Sequence, residues 1–224
     1  MRNIWFTIYT GSIDKYLGIA NYRTLLEILF IPAIQDKMNR EKKVQKYMLM
    51  FNPDLEFDNV EYFKELFYQK KGYDGIVNIS ISTKNIDWNN LSEAERKDFL
   101  IEKWKVLFNN LSDDYFVTDK SEVIDALEKL KGEEWKISNS LFKKKLKYNK
   151  EVYDIVMDLS TKKAELALVR VSDEKRINLK DYETWKIMTD ANFKKFKLEG
   201  DILTFENSSI FGMPETFDLK EFIK

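Results

Sequence analysis

The sequence predicts an α+β fold, and three features predict it. Residues 87–111 carry apolar side chains at helical spacing, while 76–82 (IVNISIS) alternates apolar and polar residues as a half-buried strand does. The runs 152–159 (VYDIVMDL) and 164–171 (AELALVRV), separated by the four residues 160–163, read as a β-hairpin. The first half is therefore expected to run β-α-β-α-β-α, with a long helix on a sheet. The second half is expected to be mainly antiparallel β with short helices. A boundary is placed between an α+β domain, 1–115, and a mainly β subdomain, 116–224, where SDDYFVT (112–118) turns polar; one continuous domain is the alternative.

Taken in order, 4–10 (IWFTIYT) is a strand by its β-branched and aromatic content, with Ile4, Phe6 and Ile8 on one face and Trp5 and Tyr9 on the other. Large apolar residues on both sides predict a strand covered on both faces. Tyr22, Leu25, Leu26, Ile28 and Leu29 mark a mostly buried helix over 22–31, stopped near Pro32. The charged stretch 35–43 is a helical extension or a loop, and 47–51 (YMLMF) is a short buried strand closed by Asn52-Pro53. Asp58 with Glu61 has capping-box spacing, so a helix using Val60, Phe63, Leu66 and Phe67 is expected, ending at Lys71-Gly72. In the long helix Ser92 and Glu95 form the capping box, and Leu100, Trp104, Leu107, Phe108 and Leu111 form the buried stripe. A shorter helix runs from Asp119 through Leu130 to Gly132. Further short strands are expected at 177–179, at Leu198 and at 202–205, before a final helical turn packed through Phe217, Leu219 and Phe222.

Composition narrows the chemistry. With 16 Phe, 11 Tyr and 5 Trp in 224 residues, the chain can bury a sizeable core. Thirty-seven basic and 38 acidic residues give a near-neutral chain, and a split at residue 112 leaves 16 basic and 15 acidic before it and 21 and 23 after it. No nucleic acid is expected as the main partner of so balanced a chain. The absence of Cys and His excludes disulfides, thiolate nucleophiles, Ser-His-Asp triads and the commonest transition-metal sites. No glycine loop precedes a Lys-Ser/Thr pair, so no cofactor is expected. The first residues lack the pattern of a signal peptide, and 25–34 is too short to span a bilayer, which points to a cytoplasmic protein without membrane contact.

Three groups of residues are candidates for function. Asp113, Asp114 and Tyr115, with Glu133, Glu134 and Trp135, are acidic and aromatic positions at element ends that suit a protein partner; acids at helix starts also serve the macrodipole. Lys143, Lys144, Lys145 and Lys147, near Trp135, Phe142 and Tyr148, form the densest basic run. It reads as a nucleic-acid strip or as a solvated face whose aromatics point inward. Asp154 and Asp158, with Glu165 on the next strand, could hold Mg²⁺ in a nuclease or hydrolase, but Ala167 stands where such a site wants Lys. Solvated strand carboxylates are the reading that these residues favour.

The segments INLKDY (177–182), NFKKFKLEGDILTFEN (192–207) and FDLKEFI (217–223) resemble a small bacterial domain of unknown function linked with toxin–antitoxin-type operons, over about fifty residues. In kind, the whole chain is similar to bacterial immunity proteins of polymorphic toxin systems. That resemblance implies a cytoplasmic, non-enzymatic α+β protein that occludes a partner toxin, with no catalytic residue to carry over. A Mg²⁺-dependent carboxylate-site enzyme and a nucleic-acid-binding module are the alternatives.

Overall fold

Phe6 and Ile8 on β1 (Trp5–Tyr9) begin two rows of apolar side chains that cross the first sheet. Phe6 lies in register with Tyr47 and Val77, and Ile8 with Leu49 and Ile79, on β2 (Val44–Asn52) and β4 (Gly75–Ser82). These three strands are parallel, β3 (Lys64–Leu66) adds an antiparallel edge, and the order is β1-β2-β4-β3. The computed structural model describes residues 5–10, 17–42, 44–60, 64–66, 75–210 and 212–223. Within them the chain forms two units, Met1–Trp135 and Lys136–Lys224. Helix and strand are both well represented, as an α+β fold requires.

In the first unit α1 (Leu17–Ile34) and α2 (Glu93–Asn110) pack on the apolar rows, and α3 (Lys120–Gly132) packs on those two helices. The capping box forms as expected: Glu95 N–H donates to Ser92 Oγ at 3.3 Å and Ser92 N–H to Glu95 Oε2 at 2.7 Å. The stripe Leu100, Trp104, Leu107, Phe108 and Leu111 is buried. Phe108 meets Phe6, Phe30, Tyr47, Trp104 and Phe116, with ring centroids 5.9–6.4 Å apart. Asp119 caps α3 by accepting from Ser121 N–H at 2.8 Å. Because α3 packs on α1 and α2, it belongs to the first unit, and the division falls at Trp135 rather than near residue 115.

Two local expectations are corrected. Helix α1 continues past Pro32 to Ile34, because proline's fixed φ suits a helix and the lost bond falls in the last turn. The helix expected after Asp58 is replaced at Lys64–Leu66 by β3, while its remaining residues, 61–63 and 67–74, lie outside the described ones. Asp58 serves another end: Oδ1 accepts Ser82 N–H at 2.9 Å and Oδ2 pairs with Lys103 at 2.6 Å. Tertiary partners here outrank the local capping pattern.

Edge strand β1 is guarded by α1. Arg23 donates to the Ile8 carbonyl at 3.3 Å, and Glu27 lies beside Arg23, Thr7 and Lys46. Burial pushes the Glu27 carboxyl up to about 7, against the opposing pull of Arg23, Thr7 and Lys46.

The second unit holds two sheets. The larger has the order β5-β7-β8-β9, made of β5 (Ile137–Ser140), β7 (Glu151–Leu159), β8 (Ala164–Arg170) and β9 (Arg176–Tyr182). The expected hairpin forms, with Leu159 opposite Ala164. β6 (Leu146–Tyr148) pairs β7 along the same edge as β5, so 142–145 loops out opposite Asp154. Asn149 and Lys150, with φ of 51° and 65°, close the β6–β7 hairpin as a two-residue turn needing positive φ. The smaller sheet is β10 (Phe193–Glu199), β11 (Ile202–Asn207) and β12 (Glu215–Asp218), antiparallel in that order. Short helices α4 (Ile187–Asp190) and α5 (Leu219–Phe222) accompany it. Phe142, Phe193, Phe196 and Phe217 gather around the buried Phe205, and Phe222 packs on Phe217.

Two predictions follow from these packing relations. Phe108→Ala should lower the stability of the first unit by about 3–5 kcal/mol, read as a fall in the urea midpoint of its near-ultraviolet signal. For Glu27, the folded state holds the proton more tightly than the unfolded chain, so stability declines as pH rises from the ordinary carboxyl range through about 7. Glu27→Gln should flatten that decline and gain on the order of 2 kcal/mol at pH 8, measured by urea titration at pH 5 and pH 8.

Candidate functional site

On the polar face of the larger second-unit sheet, Asp158 lies opposite Glu165, and Glu165 opposite Asp181. Cations are interleaved with these carboxylates. Lys145 pairs with Asp154 at 2.5 Å, Arg176 with Asp158, and Lys163 with both Glu165 and Asp181 at 2.8 and 2.7 Å. Ser138 and Ser140 on β5 donate to Asp158 and Asp154. Partial burial works against ionisation of Asp154, but Lys145 and Ser140 hold its carboxyl below the usual range. Lys163, then Asn178, does the same for Asp181. Among the described residues no three carboxylates converge as metal ligands do. Asp154, Asp158 and Glu165 thus stand as members of separate ion pairs.

The acidic and aromatic positions of the first unit fall into different environments. Asp114 pairs with Lys42, Asn39 donates to the Asp114 carbonyl at 2.8 Å, and Lys42 lies over the Tyr115 ring at 5.1 Å. Together with the bridge between Met38 and Phe116, these contacts latch the segment after α1 to the α2–α3 connection. Asp113 stays 94% exposed beside Lys120 at 3.2 Å. Glu133 and Glu134 are exposed, and Glu133 lies with Glu122 and Asp125 on a groove of about 400 Å³ between α1 and α3. Trp135 is corrected from a surface candidate to a core residue. It is 1% exposed, donates its indole N–H to the Leu130 carbonyl at 2.9 Å, and packs against Tyr22 and beneath Lys97.

The basic run divides as well. Lys145 folds back onto Asp154, while Lys143, Lys144 and Lys147 are exposed. Its aromatic neighbours point inward: Phe142 stacks on Phe205, and the buried Tyr148 donates to Asp201 Oδ1 at 2.8 Å.

The outer face of the first sheet is open where the sequence predicts cover. Trp5 and Tyr9 are 53% and 55% exposed, and Met48 and Met50, in register beside Thr7 and Tyr9, are half-buried. On the β4 side of the same face Asn78 is buried and Ser82 donates to the Leu55 carbonyl at 2.6 Å, while Asn59 bridges to Ser80 along the edge of the strand. Among the described residues the open part is therefore the β1–β2 half. Alternation in 4–10 located Trp5 and Tyr9 on one face, but only the placement of the helices on the opposite side left that face bare.

The pairing of the second-unit carboxylates makes a prediction. Millimolar Mg²⁺ should move the melting temperature of the wild type no more than that of Asp158→Asn, because a cation there must displace Arg176 and Lys163 rather than fill a prepared site.

Among the described residues no helix is long and apolar enough to cross a membrane. Comparison with known proteins gives no match to this chain from any family model, curated protein or solved structure.

Proposed function

We propose that this chain is a non-enzymatic protein-binding protein of the immunity or antitoxin type, which occludes a partner protein with the β1–β2 face of its first unit. The open Trp5–Tyr9 face carries this reading. Two large aromatics beside two methionines on a sheet surface are the side chains that dominate buried interface centres. A sheet face is also rigid, so docking onto it orders few side chains. The charge balance of the first unit fits a basic partner: residues 1–135 hold 23 acidic and 19 basic side chains. The candidate polar clusters support a binder over an enzyme, since Asp154, Asp158 and Glu165 are each matched with a cation.

The test is affinity capture from host lysate with the tagged chain and with Trp5→Ser/Tyr9→Ser, read by mass spectrometry. A stoichiometric protein held by the wild type and reduced at least about tenfold with the double variant is expected, as loss of hot-spot side chains costs about 2 kcal/mol or more. Expressed alone, that protein should arrest growth, and co-expression of this chain should relieve the arrest. Capture of no protein, or capture indifferent to both substitutions, overturns the reading.

A further inference from the structure

We propose that the Trp5–Tyr9 face recognises an acidic side chain of its partner through Lys46, which thereby sets the register of docking. The inference rests on the reading of that face as the docking surface and adds the chemistry it selects. Lys46 lies in register with Trp5 on one side and with the half-buried Ile76 on the other. Tyr47 and Leu49 point into the core, so Lys46, Met48 and Met50 share the outer side of β2. The open face then has Trp5 and Lys46 in one row, Thr7 and Met48 in the next, and Tyr9 and Met50 in the third. Of these six side chains only Lys46 is charged.

That charge has no close counter-charge. Among the described residues no carboxylate lies within ion-pair distance of Lys46. The carboxyl that acts on it, Glu27 of α1, sits beside Thr7 and faces Arg23 at 3.9 Å instead. Burial holds the Glu27 proton up to about pH 7, so at neutral pH it offers Lys46 only part of a charge. A partner that covers the face strips water from both groups. This disfavours the charged form of Glu27 further and leaves the Lys46 ammonium without hydration or counter-charge. An enclosed, unpaired ammonium costs far more than a neutral polar group, so docking calls for a carboxylate opposite Lys46. A lysine on an open sheet face also keeps that face soluble. Solubility alone gives no preference for acidic ligands, and the test below reads that difference.

Long-range and contact electrostatics play different parts here. The acidic balance of the first unit steers a basic partner toward the molecule, whereas Lys46 acts once the surfaces meet. The partner is accordingly a protein of net basic charge that places one carboxylate within an apolar contact patch. Lys46 and Met50 stand at opposite ends of the open part of β2, about 13 Å apart. An acidic side chain and an apolar anchor that reach both ends are separated by the same span. That span is about four residues of an extended partner segment or about nine of a helical one.

Selection of phage-displayed random peptides on the immobilised full chain tests this, with enriched peptides then measured by fluorescence anisotropy. The wild type is expected to enrich Asp or Glu at one of those spacings from an aromatic or apolar residue, in peptides whose binding falls with Trp5→Ser/Tyr9→Ser. Lys46→Glu should weaken these peptides at least about tenfold with an unchanged melting temperature. Selection on Lys46→Glu should enrich Lys or Arg at the same place. Lys46→Met, which keeps the apolar stem and removes the charge, should lose the acidic preference and retain the apolar contact. Peptides that need Trp5 and Tyr9 but carry no acidic excess overturn this inference and leave the docking face standing. So do peptides that bind Lys46→Glu to within about threefold of the wild type. Acidic peptides indifferent to Trp5→Ser/Tyr9→Ser overturn the inference and count against the docking face as well. Failure to enrich any peptide overturns the inference, and capture from lysate then judges the face by itself.

Discussion

The first unit depends on Phe108. Its ring is the point at which α2 meets β1 through Phe6, β2 through Tyr47, α1 through Phe30 and the α2–α3 connection through Phe116. Aromatic rings bury large areas and prefer offset or edge-on contacts, so a cluster of them fixes the orientation of the elements as well as holding them together. α2 is positioned to deliver that ring because its start is pinned by the Ser92–Glu95 capping box, four turns away. The second unit repeats the solution with Phe205, which gathers four phenylalanines from β10, β12 and the 142–145 loop.

With the cores made of aromatics, polar side chains are left to tie segments at the surface. Asp58 holds the 53–60 segment to β4 and to α2, Asp114 and Lys42 latch two connections, and serine, lysine and arginine partners span the polar face of the β5-β7-β8-β9 sheet. A carboxylate placed between a serine and a cation is well suited to stabilising a sheet face and poorly suited to taking up a metal. The proposed function accordingly rests on side chains that these ties leave unused, Trp5 and Tyr9 of the first unit. The opposite charge balance of the two units is hidden when the chain is divided at residue 112.

What the sequence by itself determined were the features governed by neighbours in the chain. The capping box and stripe of α2, the Asp119 cap and the 152–171 hairpin all follow from residues within a few positions of one another, and all are present. By contrast, β4 is not the half-buried strand its alternation predicts, since Asn78 on its polar side is buried. The candidate residues were visible too, but only as residue types. Tertiary structure decided what each type became. Asp58 has the spacing of a helix cap, yet Ser82 and Lys103 from other elements claim it; Trp135 resembles a surface anchor, yet Tyr22 and the end of α3 enclose it. Among the described residues Trp5 and Tyr9 stay exposed because α1 and α2 pack on the other face of the sheet, and the aromatics of 142–148 turn inward because Phe142 and Tyr148 dock beside β10. Local pattern is set by backbone geometry and short-range hydrogen bonding, whereas exposure and the company of charges depend on which distant surfaces exclude water together.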